Sequence, residues 1–98
     1  MKKLALALLL TSSTWAGEVN LSLYNYSKER IVVLHNYCDI GTMEPGEYRG
    51  LTVPWDETQT FDFYRYATGN INRAYRVQTY VGKYREYAEI QVTDQNLP

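Results

Sequence analysis

The chain has 98 residues, 14% aromatic and 21% charged, with net charge −1, one histidine and one cysteine. That suffices for one small domain. It excludes an internal disulfide, a second imidazole for a zinc or copper site, and the basic balance of a general nucleic-acid binder.

Residues 1–16 have the layout of a secretory signal peptide. Met1-Lys2-Lys3 is positive, residues 4–10 are unbroken apolar, and Thr14-Trp15-Ala16 places small residues at −3 and −1 before Gly17. The apolar run is far below the roughly 20 residues a spanning helix needs. The sequence therefore predicts an 82-residue mature domain, 17–98, in the periplasm of a bacterium or secreted from it, with no membrane span.

Losing Lys2 and Lys3 leaves a charge near −3, unevenly spread. Residues 18–62 carry Lys28, Arg30 and Arg49 against eight acidic side chains, whereas 63–85 carry Arg65, Arg73, Arg76, Lys83 and Arg85 and no acid.

The mature chain reads as β throughout: short alternating runs punctuated by turn residues, the spacing of a sandwich or barrel. A first strand at 19–24 points Val19, Leu21 and Leu23 to one face, and 25–29 form a polar turn. A second strand at 30–38 is apolar on both faces at Ile31-Val32-Val33-Leu34, which predicts a central position. Residues 39–41 break it. Glu44-Pro45-Gly46-Glu47 is a type II turn candidate, Pro fixing φ and Gly supplying φ > 0. A third strand at 48–53 ends at Pro54, residues 56–59 make a loop, and a fourth at 60–66 turns Phe61 and Phe63 inward. Strands at 73–81 and 84–93 follow, then a frayed tail from Asp94.

Gly82-Lys83 fits a two-residue type II′ turn. That register pairs Val81 with Tyr84, Arg76 with Glu89, Gln78 with Tyr87 and Tyr80 with Arg85. A core face then lies behind an outward face of charged and aromatic pairs. The preceding connection gives no consistent register, so the 60–66 and 73–81 strands are assigned to different sheets.

The fold class expected is all-β, a small antiparallel sandwich of six to seven strands of immunoglobulin-like, Greek-key size. His35 is read as structural, and Cys38 as a buried apolar residue beside Val32 and Leu34; a disulfide to another chain is the alternative. With one histidine and one cysteine the usual nucleophilic sites cannot be built, so neither an enzyme nor a cofactor is expected.

The expected activity is non-catalytic binding. Arg76, Tyr80, Arg85 and Tyr87, with neighbouring Arg65 and Tyr66, form the candidate surface, because Tyr and Arg dominate binding hot spots. The partner is an acidic protein surface or a glycan, and reversing the charge of Arg76 and Arg85 is expected to abolish capture while leaving folding intact. The alternative is an inhibitor of a partner enzyme, inserting the 54–58 loop around Trp55. Asn20 and Asn25 both begin N-x-Ser patterns, read as chance in a bacterial export context.

Overall fold

The computed structural model describes residues 17–82 and 87–98; the signal-like segment lies outside them. The described chain is all-β: β1 (Glu18–Asn25), β2 (Ile31–His35), β3 (Cys38–Met43), β4 (Tyr48–Pro54), β5 (Glu57–Arg65), β6 (Tyr75–Val81) and β7 (Tyr87–Val92), with one 3-10 turn at Ile71–Arg73. Two sheets, ordered β4-β1-β7 and β3-β2-β5-β6, make a small sandwich.

The core is where alternation places it. Val19, Leu21 and Leu23, with Ile90 and Val92 on the neighbouring β7, face Ile31, Val33, Phe61 and Phe63 in one buried cluster. β2 lies between β3 and β5, and Val32 and Leu34 on its other face are buried too, as its doubly apolar run requires. The Pro-Gly turn forms: Gly46 has φ 83°, and the Glu47 N–H donates to the Glu44 carbonyl at 2.9 Å.

The second strand is two strands. The chain reverses at Asn36-Tyr37, both at positive φ (48° and 70°), which is a type I′ hairpin turn. Tyrosine is a poor residue for that conformation. Its ring lies against the Arg76 guanidinium, 5.3 Å from centroid to carbon, and Asn36 is latched to β5 by bonds to Thr60 and Gln59. The turn also corrects Cys38, which is exposed. It pairs directly with His35, so the two share a face of the sheet.

Among the described residues the final hairpin's pairings, Arg76 with Glu89 and Gln78 with Tyr87, are not formed. β6 pairs with β5, placing Arg76 opposite Asp62 and Tyr75 opposite Phe63. β7 belongs to the other sheet and runs parallel to β1, so the sandwich is not wholly antiparallel. The connection that had no consistent register is simply longer, holding the 3-10 turn at Ile71–Arg73. The sheet change falls instead between Val81 and Tyr87, and Lys83, Tyr84, Arg85 and Glu86 lie outside the described residues. Period-two alternation fails to discriminate here because it sorts side chains between faces whichever strand is the neighbour.

The tail is docked rather than frayed. Leu97 is buried in the core cluster, Asp94 accepts from the Lys28 N–H at 2.9 Å, and Arg65 donates to the carbonyls of Leu97 and Pro98. Leu97→Ala should therefore cost about 2–3 kcal/mol, the ordinary penalty for emptying a buried leucine site. Urea unfolding measures this, and a loss within error would mean the tail contributes nothing.

Candidate functional site

The expected Arg/Tyr surface is divided between the two sheets, and its described arginines, Arg65 and Arg76, are engaged. Arg76 forms a two-pronged pair with Asp62, Nε to Oδ1 at 2.8 Å and Nη2 to Oδ2 at 3.3 Å. The bond from Asp62 raises the guanidinium pKa further above its ordinary value. Arg65 binds Glu29 at 2.6 Å as well as the tail carbonyls. Tyr66 is exposed, with the Arg30 guanidinium 5.1 Å from its ring centroid. Tyr80 is exposed and donates to Asp56 at 2.9 Å, a bond that raises its pKa. Tyr87 lies on β7 in the opposite sheet. Arg85 falls outside the described residues.

The 54–58 segment does not project as a loop. Pro54 ends β4, Glu57 and Thr58 begin β5, and only Trp55-Asp56 links them. Trp55 packs on the core cluster and so closely on Gly17 that a Cβ there would come within 2.0 Å of the indole. His35 is structural in its contacts: its ring stacks on Phe61 at 4.5 Å and its Nε2 lies 2.7 Å from Gln59 Oε1. Asn25 is fully buried, with its amide donating to the Glu29 and Met43 carbonyls, so the folded chain gives no access to that N-x-Ser pattern. Asn20 is exposed.

The outward face of β4-β1-β7 presents a different arrangement. Its registers set nine side-chain positions in three rows across the strands. One row is Thr52, Asn20 and Tyr87. The middle row is Gly50, Ser22 and Glu89. The third is Tyr48, Tyr24 and Gln91. Small residues at Gly50 and Ser22 leave the middle row low between tyrosines, and an open trough of about 500 Å³ lies there, lined also by Leu21 and Leu51.

Both flanking phenols lean into the trough. The Tyr48 hydroxyl sits over Gly50, where an added Cβ would stand 3.1 Å from it. The Tyr87 hydroxyl donates to Glu89 Oε1 at 2.7 Å. Tyr24 is 5.0 Å from Tyr48 and stacks with Tyr26 at 5.5 Å and 5°, extending the aromatic platform beyond the end of β1. Gly50 and Ser22 are the residues on which this space depends, since any larger side chain would fill it.

The charge beside the trough, on Glu89, is pinned by neutral partners. Glu89 accepts from Gln91 Nε2 as well as from Tyr87, and those bonds hold its carboxyl below its usual pKa. The hydrogen bond to Glu89 pushes the Tyr87 phenol up to about 12, with a smaller rise from Tyr24 and an opposing effect from Ser22. Tyr87 is therefore a protonated donor, and Glu89 an anion, throughout the neutral range.

No protein-family model, curated protein or solved structure matches the chain. Among the described residues no helix is long and apolar enough to cross a membrane, and no three His, Cys, Asp or Glu side chains converge as a metal cage. Of the residues expected from sequence, the trough contains Tyr87 alone. Tyr48, Ser22, Gly50 and Asn20 were missed, although each carries the polar half of an alternating strand. Nothing local says that β1 separates β4 from β7.

Proposed function

We propose that this chain is an exported, non-catalytic binding module whose ligand is a glycan laid along the trough of the three-stranded sheet. The observation that carries this reading is the low middle row between Tyr48 and Tyr87. Phenol faces accept the C–H face of a sugar ring, while Asn20, Ser22 and Thr52 supply short-range donors and acceptors for its hydroxyls. A few polar groups among aromatic walls is the usual make-up of a small-ligand site. Export rests on the signal-like layout of residues 1–16. Support for a non-catalytic role comes from the acid–base groups themselves: the His35 ring is tied to Gln59, and Asp62 and Glu29 are held by arginines.

Isothermal titration with β-linked oligomers of glucose, N-acetylglucosamine and glucosamine tests the proposal. At least one should bind, and Tyr48→Ala and Tyr87→Ala should each weaken it about tenfold, the scale of a modest hot spot, with thermal unfolding little changed. Tyr66→Ala and Tyr80→Ala should leave affinity as it was. No binding by any oligomer, or a loss confined to Tyr80→Ala, would overturn the reading.

A further inference from the structure

We propose that the glycan carries free, unacetylated amines and that Glu89, beside the trough, is their counter-ion. This rests on the glycan reading above and narrows it.

The first observation is the charge of the face. Among the described strand residues that point outward from this sheet, the only charged ones are Glu18 and Glu89, both acidic. Arg49, the basic residue of β4, turns inward and donates to the carbonyls of Ile40 and Thr42. An anionic sugar would meet repulsion here, while a cationic one finds complementary charge.

The second is the setting of Glu89. It stands at the end of the middle row, across from Ser22 and beyond it Gly50, so a ring seated between the tyrosines runs up against its carboxylate. Both oxygens are oriented by neutral donors, Tyr87 and Gln91. An ionised carboxylate has about four acceptor positions, so about two remain beyond the bonds to Tyr87 and Gln91. Among the described residues Glu29, Glu44, Glu47 and Asp62 each have an arginine partner, while Glu89, like exposed Glu18, Asp39, Glu57 and Asp94, has none. Glu89 is held by hydrogen bonds and has no cationic partner among the described residues, which is the arrangement a protonated amine completes. Charge-assisted bonds of this kind are roughly twice as strong as neutral ones.

A linear glucosamine oligomer and its fully N-acetylated counterpart, titrated against the same chain, separate the possibilities. In mildly acid buffer, where the amines are protonated and Glu89 is ionised, the free-amine oligomer should bind about tenfold tighter. The preference should shrink as alkali deprotonates the amines and as salt is raised. In Glu89→Gln the ratio of the two affinities should fall to about one. Glu89 is exposed, so the variant should fold, and its circular dichroism and melting curve check that it does. Equal affinity of the wild type for both oligomers, or a preference that persists in Glu89→Gln, overturns this inference while the glycan reading stands on Tyr48 and Tyr87. Failure of all three oligomers to bind overturns both.

Discussion

Asn25→Ala is expected to destabilise the fold by about 3 kcal/mol, the largest effect of any single truncation considered, although the residue begins as an unremarkable polar turn position. Asn25 is fully buried at the end of β1. Its amide nitrogen donates to the Glu29 carbonyl at 2.8 Å and the Met43 carbonyl at 3.1 Å. Its side-chain oxygen accepts from the Ser27 N–H at 3.0 Å and the Ser27 hydroxyl at 2.6 Å. Its backbone joins the 44–47 turn as well, donating to Glu47 and accepting from Gly46. Alanine deletes all four side-chain bonds and strands groups that water reaches poorly, at about 1–3 kcal/mol for each group left unsatisfied. A domain of this length holds only about 4–12 kcal/mol in total. The melting temperature should drop by roughly 12–24 °C. Asn20→Ala, exposed on the same strand, is the control and should stay within about 0.5 kcal/mol. A small loss in Asn25→Ala would mean that the β1–β2 and β3–β4 connections are not tied together through this amide.

Arg76→Ala should cost about 2–3 kcal/mol, and Arg76→Glu more, which reverses the expectation that charge reversal leaves folding intact. The reason is an asymmetry of exposure. The Asp62 side chain is 5% exposed and that of Arg76 51%. Removing the arginine leaves a nearly buried carboxylate uncompensated, the costly way to break an ion pair. Half-exposure of Arg76 lets water replace it in part, so the figure sits below the full penalty for an enclosed pair. Asp62→Asn leaves only a guanidinium that solvent can reach, and about 1 kcal/mol is the expected loss. Arg76→Ala combined with Asp62→Ala should be less destabilised than Arg76→Ala alone. Urea unfolding of wild type, Arg76→Ala, Asp62→Ala and the double mutant closes the cycle, and equal losses for Arg76→Ala and Asp62→Asn would reject the asymmetry. Arg76 also contacts the Tyr37 ring, so its loss loosens the positive-φ turn that separates β2 from β3. Arg76 thus ties Asp62 of β5 and the turn at Tyr37 to β6.

Much of this architecture is readable from residues alone. Period-two alternation assigns Leu21, Leu23, Phe61 and Phe63 to the interior, the doubly apolar run of β2 marks a covered strand, and Pro45-Gly46 makes its turn. Each depends on chemistry within a few residues. The loss of β3 as a separate strand is a local failure too: Asn36 suits a type I′ turn but Tyr37 does not, and the cation and hydrogen bonds that hold them there come from β5 and β6. The candidate site fails for a different reason. Arg76 has two carboxylates of opposite outward register to choose from, Asp62 and Glu89, and both satisfy the same alternation and the same charge rule. Alternation along the chain assigns side chains to one side of a sheet or the other. It leaves the neighbours of each strand open, because strand pairing is settled by how two sheets close over one core and not by any preference carried along a strand. The trough exists because β1 separates β4 from β7, which brings Gly50, Ser22 and Glu89 into one row from three distant parts of the chain.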